Sequence, residues 1–236
     1  MPTESLPLLR PDWPVDAVAG AFMTTRHGGF SSGCYGAGPA PAAAHPVRAG
    51  GLNLGDHVGD DAALVARNRA AVVALLPAEP LWLEQVHGVT VVDADAQPPR
   101  SASPDAAAVT ADAAVSSQAA RPLVIMTADC LPVLFVDAQA GVIGAAHAGW
   151  RGLAAGVLEN TVAAMQGKGA QTPRIHVWLG AAIGPQAFET GAEVRDAFAA
   201  IHAADAAAFQ PVATRPGKWM GNLYQLARWR LQRIGV

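Results

Sequence analysis

The segment from Cys130 to His147 limits the possible folds of this chain more than any other stretch. It contains two apolar runs joined by the short polar turn 137–141, which ends in glycine. This pattern predicts a β-hairpin. Folding about Ala138 and Gln139 places Cys130 opposite His147 or within one residue of it, and directly facing Cβ atoms are about 4.5–5.5 Å apart. A thiolate and an imidazole at that distance can share one metal ion.

Length and composition indicate a compact, enzyme-like protein. The chain has 236 residues, of which 51% are hydrophobic and 15% are charged. This composition supplies a sizeable core and excludes an intrinsically disordered protein. The net charge of −3 gives no general attraction to nucleic acid or to acidic membrane surfaces. We therefore expect no nucleic-acid partner.

The sequence also predicts a cytoplasmic protein with no membrane association. No apolar run approaches the about 18–20 residues that a membrane span needs. Residues 1–14 contain prolines and charges where a signal peptide has an apolar core. The two cysteines, Cys34 and Cys130, are not expected to form a disulfide, because the cytoplasm is reducing. Cys34 is assigned no role.

Extended and helical patterns are mixed along the chain. A helix is expected from Ala62 to Leu76, with Asp60 or Asp61 as its N-cap. The other expected elements are the strands Pro80–Val86, Val89–Asp93, Pro122–Met126 and Arg174–Gly180, and the helices Trp150–Gln166, Gly191–His202 and Trp219–Ile234. Hairpins beside strand–helix units predict one α/β or α+β domain with a mixed sheet over residues 1–236. The Ala-Pro-rich segment 36–50 is expected to be a flexible surface insertion.

Three potential metal ligands, His87, Cys130 and His147, lie at the ends of expected strands. Two histidines and one cysteine leave a fourth coordination position for water, which is the pattern of a catalytic zinc site. Zinc lowers the pKa of a bound water and polarises a carbonyl or a ring position. The alternative is that these side chains are simply buried, as histidine and cysteine often are.

A nucleophilic thiol is the main competing interpretation. Cys130 facing His147 would form a Cys–His pair with thiolate character, as in a cysteine hydrolase or amidase. Asp129 is either a general acid or base beside the metal or an orienter of a metal ligand, and otherwise a cap at the strand end. A binding module with purely structural zinc is the third interpretation, and it predicts a closed fourth coordination position.

Three arginines are candidates for binding phosphate. Arg26 leads a glycine-rich turn, Arg69 lies within the helix expected from Ala62, and Arg151 begins the helix that follows His147. A guanidinium near backbone N–H groups suits an anion. The glycine-rich turn is otherwise an ordinary loop, and Arg69 is otherwise a solvated surface residue.

A series of short motifs, taken in order along the chain, resembles one family. The motifs are Thr25–Gly29, Asn53–Gly55, Gly59–Asp61, Asn68–Arg69, Gln85–Gly88, Ala111–Ala113, Ala128–Cys130, His147–Gly152 and Gly184–Pro185. They are similar to those of the laccase-domain family, also called the polyphenol oxidase or peptidoglycan-editing-factor family. Its members are regarded as multifunctional purine nucleoside phosphorylases. The resemblance runs from about Ala17 to the C-terminus.

The resemblance implies a zinc ion held at the positions of His87, Cys130 and His147. It implies phosphorolysis of adenosine, inosine, guanosine and methylthioadenosine, with adenosine deamination as a second activity, so the partners are purine nucleosides and phosphate. The implied fold is a layered α/β sandwich with mixed sheets, shared with a toxin deamidase domain. The chain departs from the family pattern in the 36–50 insertion and at Met220–Asn222, where the family more often carries a His and an Asp.

The laccase name implies copper chemistry that fits this sequence poorly. Copper sites of multicopper oxidases need many closely spaced histidines, and the seven histidines here are scattered. Peptidoglycan editing is an alternative physiological role, which a cysteine hydrolase built on Cys130 and His147 would serve.

Overall fold

The structure is a computed structural model that describes residues 6–15, 19–37, 50–98 and 108–236. The chain divides into two compact units, Met1–Pro80 and Leu81–Val236. The single domain expected over residues 1–236 stays a prediction. Of the insertion expected at 36–50, residues 38–49 lie outside the described residues.

Short strands and helices of moderate length make up the described residues. In chain order the strands are β1 (Leu8–Leu9), β2 (Met23–Thr24), β3 (His27–Ser31), β4 (Leu83–Glu84), β5 (Val91–Asp93), β6 (Val109–Thr110), β7 (Ala113–Ser116), β8 (Leu131–Asp137), β9 (Val142–Ala148), β10 (His176–Leu179), β11 (Glu189–Gly191), β12 (Phe209–Pro211) and β13 (Lys218–Gly221). The helices are α1 (Ala62–Val73), α2 (Trp150–Ala155), α3 (Val157–Gly167), α4 (Ala192–Ile201) and α5 (Leu223–Arg233). None of these helices is long and apolar enough to cross a membrane.

In the N-terminal unit, a buried asparagine connects α1 to the preceding loops. The side chain of Asp61 caps α1 by accepting hydrogen bonds from backbone N–H groups of its first turn, which confirms the expected N-cap. Asn68 is fully buried. Its side chain accepts from Phe30 N–H at 2.8 Å and donates to the Asn53 carbonyl at 2.8 Å. These bonds satisfy one backbone group of β3 and one of the loop at Asn53.

The C-terminal unit is built on a mixed five-stranded sheet in the order β10-β8-β9-β7-β5. All its pairings are antiparallel except that of β5 with β7. The main core joins the sheet to α3 and α4 through side chains that are at most 1% exposed, including Leu131, Phe135, Leu158, Met165 and Phe198. A smaller sheet, β11-β13-β12, and the pair β4-β6 complete the unit. The expected α/β fold with mixed sheets is confirmed.

The β8–β9 hairpin forms as predicted, but in a different register. Asp137 pairs with Val142 and Pro132 pairs with His147, so the centre of the turn lies between Gln139 and Ala140, one residue later than predicted. Cys130 therefore precedes the residue paired with His147 by two positions, and the prediction that it lies opposite His147 or within one residue of it is wrong. Because side chains alternate between the two faces of a strand, a shift of two positions keeps the same face.

The turn of this hairpin is fixed by the carboxylate of Asp137, which is fully buried. Oδ1 accepts hydrogen bonds from the N–H groups of Gln139 and Ala140 at 3.0 and 3.1 Å. Oδ2 accepts from Gln171 N–H at 2.9 Å and from Arg174 Nε and Nη2 at 3.1 and 3.0 Å. The partners Gln171 and Arg174 are distant in sequence, so the apolar alternation of the strands could not reveal this register.

The strand expected at Pro122–Met126 is wrong. This segment has only an isolated bridge, between Leu81 and Leu123. The side chain of Gln85 replaces a neighbouring strand, because its amide accepts from Met126 N–H at 2.8 Å and donates to the Met126 carbonyl at 2.7 Å. Backbone groups need a partner, and a side-chain amide supplies both a donor and an acceptor.

Other expectations differ in extent. The helix expected from Trp219 begins only at Leu223, because Lys218–Gly221 forms β13. The expected helix Trp150–Gln166 is interrupted at Gly156, whose φ of 106° ends α2 and starts α3; this left-handed conformation favours glycine. The expected strand Pro80–Val86 is shortened to β4, Leu83–Glu84, which pairs with β6. Strand β5 pairs with β7 instead.

Candidate metal centre

Three potential ligands that are far apart in the sequence come together in the C-terminal unit. One ligand atom from each of His87, Cys130 and His147 lies within 4.8 Å of the other two. Cys130 Sγ is 3.6 Å from His87 Nε2, and the two imidazole rings meet edge to face with centroids 4.7 Å apart. His147 is buried and His87 is exposed, so solvent reaches the cluster from the side of His87.

The donor set and its spacing fit a tetrahedral metal ion. With a metal–sulfur bond of about 2.3 Å and a metal–nitrogen bond of about 2.0–2.1 Å, a tetrahedral zinc-like ion separates its sulfur and nitrogen ligands by about 3.6 Å. The Cys130 Sγ to His87 Nε2 distance has this value. Thiolate and imidazole donors suit zinc and related transition metals, whereas magnesium and calcium require oxygen ligands. Three protein ligands leave a fourth position for water or substrate.

The carboxylate of Asp112 holds the loop that carries His87. Asp112 is fully buried. Its Oδ1 accepts from His87 N–H at 2.9 Å, and its Oδ2 accepts from Gly88 N–H at 2.6 Å and from Val86 N–H at 3.2 Å. Three successive N–H groups form an anion-binding nest around this carboxylate. His87 adopts a left-handed backbone with φ of 61°, a conformation that costs a non-glycine residue about 1–2 kcal/mol.

The same carboxylate binds the ring of His147. His147 Nδ1–H donates to Asp112 Oδ1 at 2.8 Å. Burial alone would raise the pKa of Asp112, but hydrogen bonds from His147, Gly88 and Val86 outweigh it and lower that pKa. An ionised carboxylate can only accept hydrogen bonds, so the proton resides on Nδ1 and leaves Nε2 for a metal.

Electrostatics favour the neutral, metal-binding form of His147. Burial lowers the pKa of His147, and the positive charge that His87 can carry lowers it further. The hydrogen bond with Asp112 acts in the opposite direction without reversing the shift. A histidine must be neutral to bind a metal, so His147 is ready to do so at neutral pH.

The surroundings of Cys130 favour a metal ligand over a free nucleophile. Burial, followed by the negative charges of Asp129 and Asp112, raises the pKa of the Cys130 thiol. A thiol in such surroundings stays protonated at neutral pH and is a weak nucleophile. A bound metal ion reverses this preference, because a coordinated thiol is deprotonated.

An orienting role for Asp129 toward a metal ligand stays a prediction. Asp129 is exposed, and the carboxylate in contact with His147 belongs to Asp112. A catalytic role for Asp129 beside the metal stays a prediction. Sequence reasoning missed Asp112 as a site residue, although an aspartate flanked by alanines in an apolar stretch was an available signal of a buried, partnered carboxylate.

Two glycines allow helix α2 to approach the cluster closely. A Cβ atom at Gly149 would lie 2.6 Å from His87 Cδ2 and 3.1 Å from Cys130 Sγ. A Cβ atom at Gly152 would lie 2.6 Å from the carbonyl oxygen of Gly88. No side chain fits at such distances, so glycine at both positions is required by packing against the metal-binding loop.

Two of the proposed phosphate-binding arginines belong to the N-terminal unit and bind its own loops. Arg26 Nη2 donates to the Gly36 carbonyl at 2.7 Å. Arg69 Nε donates to the Leu54 carbonyl at 2.8 Å, and its Nη1 pairs with Asp56 at 3.0 Å. The interpretation of Arg69 as merely solvated is therefore wrong, and a role in phosphate binding for either arginine stays a prediction.

The third arginine lies in the C-terminal unit, four residues after His147. Arg151 is exposed, and its Cζ lies 4.5 Å from the ring centroid of Trp150, a cation–π contact. Trp150 is partly buried against the main core. A role for Arg151 in phosphate binding stays a prediction.

Comparison with known families assigns the chain. The family described as multi-copper polyphenol oxidoreductase laccase matches residues 20–236. The chain belongs to this laccase-domain family. The resemblance drawn from the sequence motifs is thereby confirmed, and the three potential metal ligands lie within the matched residues.

Relatives and solved structures agree with this assignment. The chain is 48% identical over 228 residues to a purine nucleoside phosphorylase of Pseudomonas aeruginosa, covering 97% of this chain and 83% of that protein. It is 43% identical over 232 residues to the purine nucleoside phosphorylase YfiH of Escherichia coli, covering 97% and 84%. A Neisseria meningitidis crystal structure matches with a TM-score of 0.82 at 40% identity, covering 97% and 84%. That of YlmD from Geobacillus stearothermophilus matches with a TM-score of 0.78 at 29% identity, covering 100% and 84%.

Proposed function

We propose that this laccase-domain protein is a zinc-dependent purine nucleoside phosphorylase, with zinc held by His87, Cys130 and His147. The observation that carries the proposal is the convergence of these three ligands within 4.8 Å. Relatives that are 48% and 43% identical carry the purine nucleoside phosphorylase name. The proposed substrates are phosphate and the nucleosides adenosine, inosine, guanosine and methylthioadenosine.

The side chains around the cluster support this chemistry. A zinc ion at this position would supply a Lewis acid and a water of lowered pKa. Asp112 keeps Nε2 of His147 available through the hydrogen bond to Nδ1, and the exposed face of His87 marks the side from which a substrate approaches. Arg151 is the proposed phosphate ligand of the C-terminal unit, since an exposed guanidinium can bind phosphate through two parallel hydrogen bonds.

Adenosine deamination is the proposed second activity. Zinc deaminases attack the purine C6 with a zinc-activated water, and a three-ligand site leaves a position for that water. The activity is measured as inosine formed from adenosine in the absence of phosphate. We expect it to need the same metal site, so a His147→Ala variant should lose deamination together with phosphorolysis.

The decisive experiment measures hypoxanthine released from inosine, with and without phosphate, together with the metal content of the same purified sample. We expect release only with phosphate and about one zinc per chain. The His147→Ala variant should lose both the metal and the activity, because it lacks one of three protein ligands. The matched control is His176→Ala, which removes an exposed histidine on β10 and should retain both.

Two outcomes would contradict the phosphorylase proposal. Bound zinc without phosphate-dependent release from any of the four nucleosides would point to deamination alone or to a cell-wall substrate. Metal-free protein with hydrolytic activity that alkylation of Cys130 abolishes would point to a cysteine hydrolase or amidase, the alternative connected with peptidoglycan editing. The raised pKa of Cys130 argues against this second outcome.

A further inference from the structure

We propose that Asp112 is the positioning residue for both histidine ligands, because one carboxylate fixes the backbone of His87 and the ring tautomer of His147. The inference rests on the metal site of the proposed function and is independent of which nucleoside the enzyme uses. It assigns to Asp112 a role in metal affinity that is separate from any general contribution to folding.

The first argument is that the hydrogen-bonding capacity of this carboxylate is filled by the metal site alone. A carboxylate offers about four acceptor positions. The N–H groups of Val86, His87 and Gly88 occupy three of them, and His147 Nδ1–H occupies the fourth. Asp112 is 0% exposed, so bulk water does not compete for these positions.

The second argument is that Asp112 is itself anchored by its backbone. Its N–H donates to the Thr90 carbonyl at 3.1 Å, and its carbonyl accepts from His147 N–H at 2.7 Å. The neighbouring Ala111 N–H donates to the Glu84 carbonyl at 3.1 Å. A carboxylate on a backbone fixed in this way can transmit one geometry to both histidines.

The third argument concerns the loop that carries His87. Residues 85–89 lie between β4 and β5 and form no strand of their own, so no strand pairing holds them. The carboxylate of Asp112 takes the place of such pairing, and it does so at the residue with the left-handed backbone. Without an anion inside the nest, the three N–H groups would be left without their acceptor.

Replacing the carboxylate of Asp112 by an amide changes its hydrogen bonding while the size of the side chain stays the same. Asp112→Asn keeps the shape of the side chain but replaces one acceptor oxygen by an NH2 donor. An NH2 group facing His147 favours the tautomer with the proton on Nε2, which blocks the nitrogen that the metal needs. We expect zinc affinity to fall by about 10–100-fold, the usual effect of losing such a partner of a metal ligand.

The test uses the full chain and two readouts. Zinc affinity is measured by competition with a chelator for the wild type and for Asp112→Asn. The tautomer of His147 is measured by nitrogen-15 NMR on the metal-free protein, with the His147 signals assigned from their absence in His147→Ala. We expect the wild type to carry its proton on Nδ1 and Asp112→Asn to carry it on Nε2.

The matched control is Asp137→Asn. Asp137 is also 0% exposed and also accepts from three backbone N–H groups, but it touches no histidine of the cluster. This variant should keep the Nδ1 tautomer of His147 and a zinc affinity within about threefold of the wild type, well short of the loss that follows removal of a ligand's partner.

Three results would overturn the inference. They are a wild-type His147 protonated on Nε2, an Asp112→Asn variant that binds zinc as tightly as the wild type, and an equal loss of affinity in Asp137→Asn. If Asp112→Asn does not fold, the tautomer of His147 in the metal-free wild type still tests the role of Asp112. A wild type that takes up no zinc contradicts the proposed function, and the tautomer then decides the role of Asp112 separately.

Discussion

A fully buried aspartate lies at each end of the β8–β9 hairpin, Asp137 at its turn and Asp112, just before β7, beside its open end. The two carboxylates have nearly the same set of hydrogen bonds. At the turn, Asp137 accepts from three backbone N–H groups and from the guanidinium of Arg174. At the open end, Asp112 accepts from three backbone N–H groups and from the imidazole of His147. The two sites differ mainly in the side chain that each carboxylate binds.

That difference separates a structural site from a chemical one. The guanidinium of Arg174 is permanently charged and has no acceptor, so its pair with Asp137 only fixes the turn. The imidazole of His147 has a second nitrogen, and the hydrogen bond to Asp112 leaves that nitrogen with a lone pair. The same carboxylate arrangement therefore holds a turn at one end of the hairpin and orients a proposed metal ligand at the other.

Removing a proposed metal ligand should give the largest difference in zinc affinity between variants at the two ends of the hairpin. We expect Cys130→Ala to weaken zinc binding by about 1000-fold or more, because one of three protein ligands is lost. Arg174→Ala, at the turn, should lower stability and leave zinc binding unchanged. Zinc titration of both purified variants measures the contrast, and equal affinities would contradict the assignment of Cys130 as a ligand.

At the turn, Asp137→Asn should lower the free energy of unfolding by about 2–3 kcal/mol, because buried N–H groups and Arg174 lose a charged acceptor. Burial alone would raise the pKa of Asp137, but hydrogen bonds from Gln171, Ala140 and Arg174 lower it. The carboxylate therefore stabilises the folded state fully above about pH 5, one unit above the ordinary pKa of an aspartate. That stabilisation is lost as the pH falls through the lower folded-state pKa.

Denaturant unfolding at several pH values tests this pH dependence. The difference in stability between wild type and Asp137→Asn should be constant above about pH 5 and should shrink as the pH falls below about 4. A difference that stays the same down to pH 2 would show that the charge of Asp137 is not what stabilises the turn.

Glycines at the two ends of the hairpin, Gly149 and Gly141, provide a further comparison. Gly149→Ala would place a Cβ atom 2.6 Å from His87 Cδ2, so we expect His87 to shift and zinc affinity to fall about 30-fold, equivalent to about 2 kcal/mol. Gly141, in the turn, has open space around a Cβ atom but a φ of 66°. Gly141→Ala should cost about 1 kcal/mol of stability through its backbone alone.

Chelator competition and thermal unfolding of the two glycine variants provide the measurements. The comparison holds if zinc affinity changes only in Gly149→Ala. A Gly149→Ala variant with wild-type affinity would mean that α2 can move away from the cluster without disturbing its ligands.

The middle of the hairpin should respond least. A Cβ atom at Gly144 would lie 2.9 Å from Met165 Sδ and 3.2 Å from Thr161 Cγ2 on α3. Because methionine adapts its shape readily, we expect Gly144→Ala to cost about 1 kcal/mol and to leave zinc affinity unchanged. Thermal unfolding with and without zinc checks both expectations, and a change in affinity would show that the packing of α3 is coupled to the metal site.

Local patterns predicted several features of the fold correctly. Apolar runs separated by polar residues located the hairpin, and Asp61 marked the start of α1, because both signals depend on neighbours in sequence. The pattern also predicted a strand at Pro122–Met126, where the structure has only an isolated bridge at Leu123. An apolar run shows that a segment is buried but does not show which segment pairs with it.

Only part of the site was predicted, because local sequence patterns do not show long-range partners. Residue type and position near strand ends selected His87, Cys130 and His147 as ligands, and the structure brings them together. Asp112 was missed because its partners come from a loop about 25 residues before it and a strand 35 residues after it. The adjacent sequence indicates a buried carboxylate there, but it does not show which groups that carboxylate binds.

The sequence by itself determined which residues could bind a metal, the family, and the strand–turn–strand segment that carries Cys130 and His147. Only the tertiary structure decided the register of that hairpin and the carboxylate that orients the histidines. Alternation of side chains fixes a face but allows shifts by two residues. The buried Asp137, with partners up to 37 residues away, removes that freedom, because a buried carboxylate is stable only where its hydrogen bonds are complete.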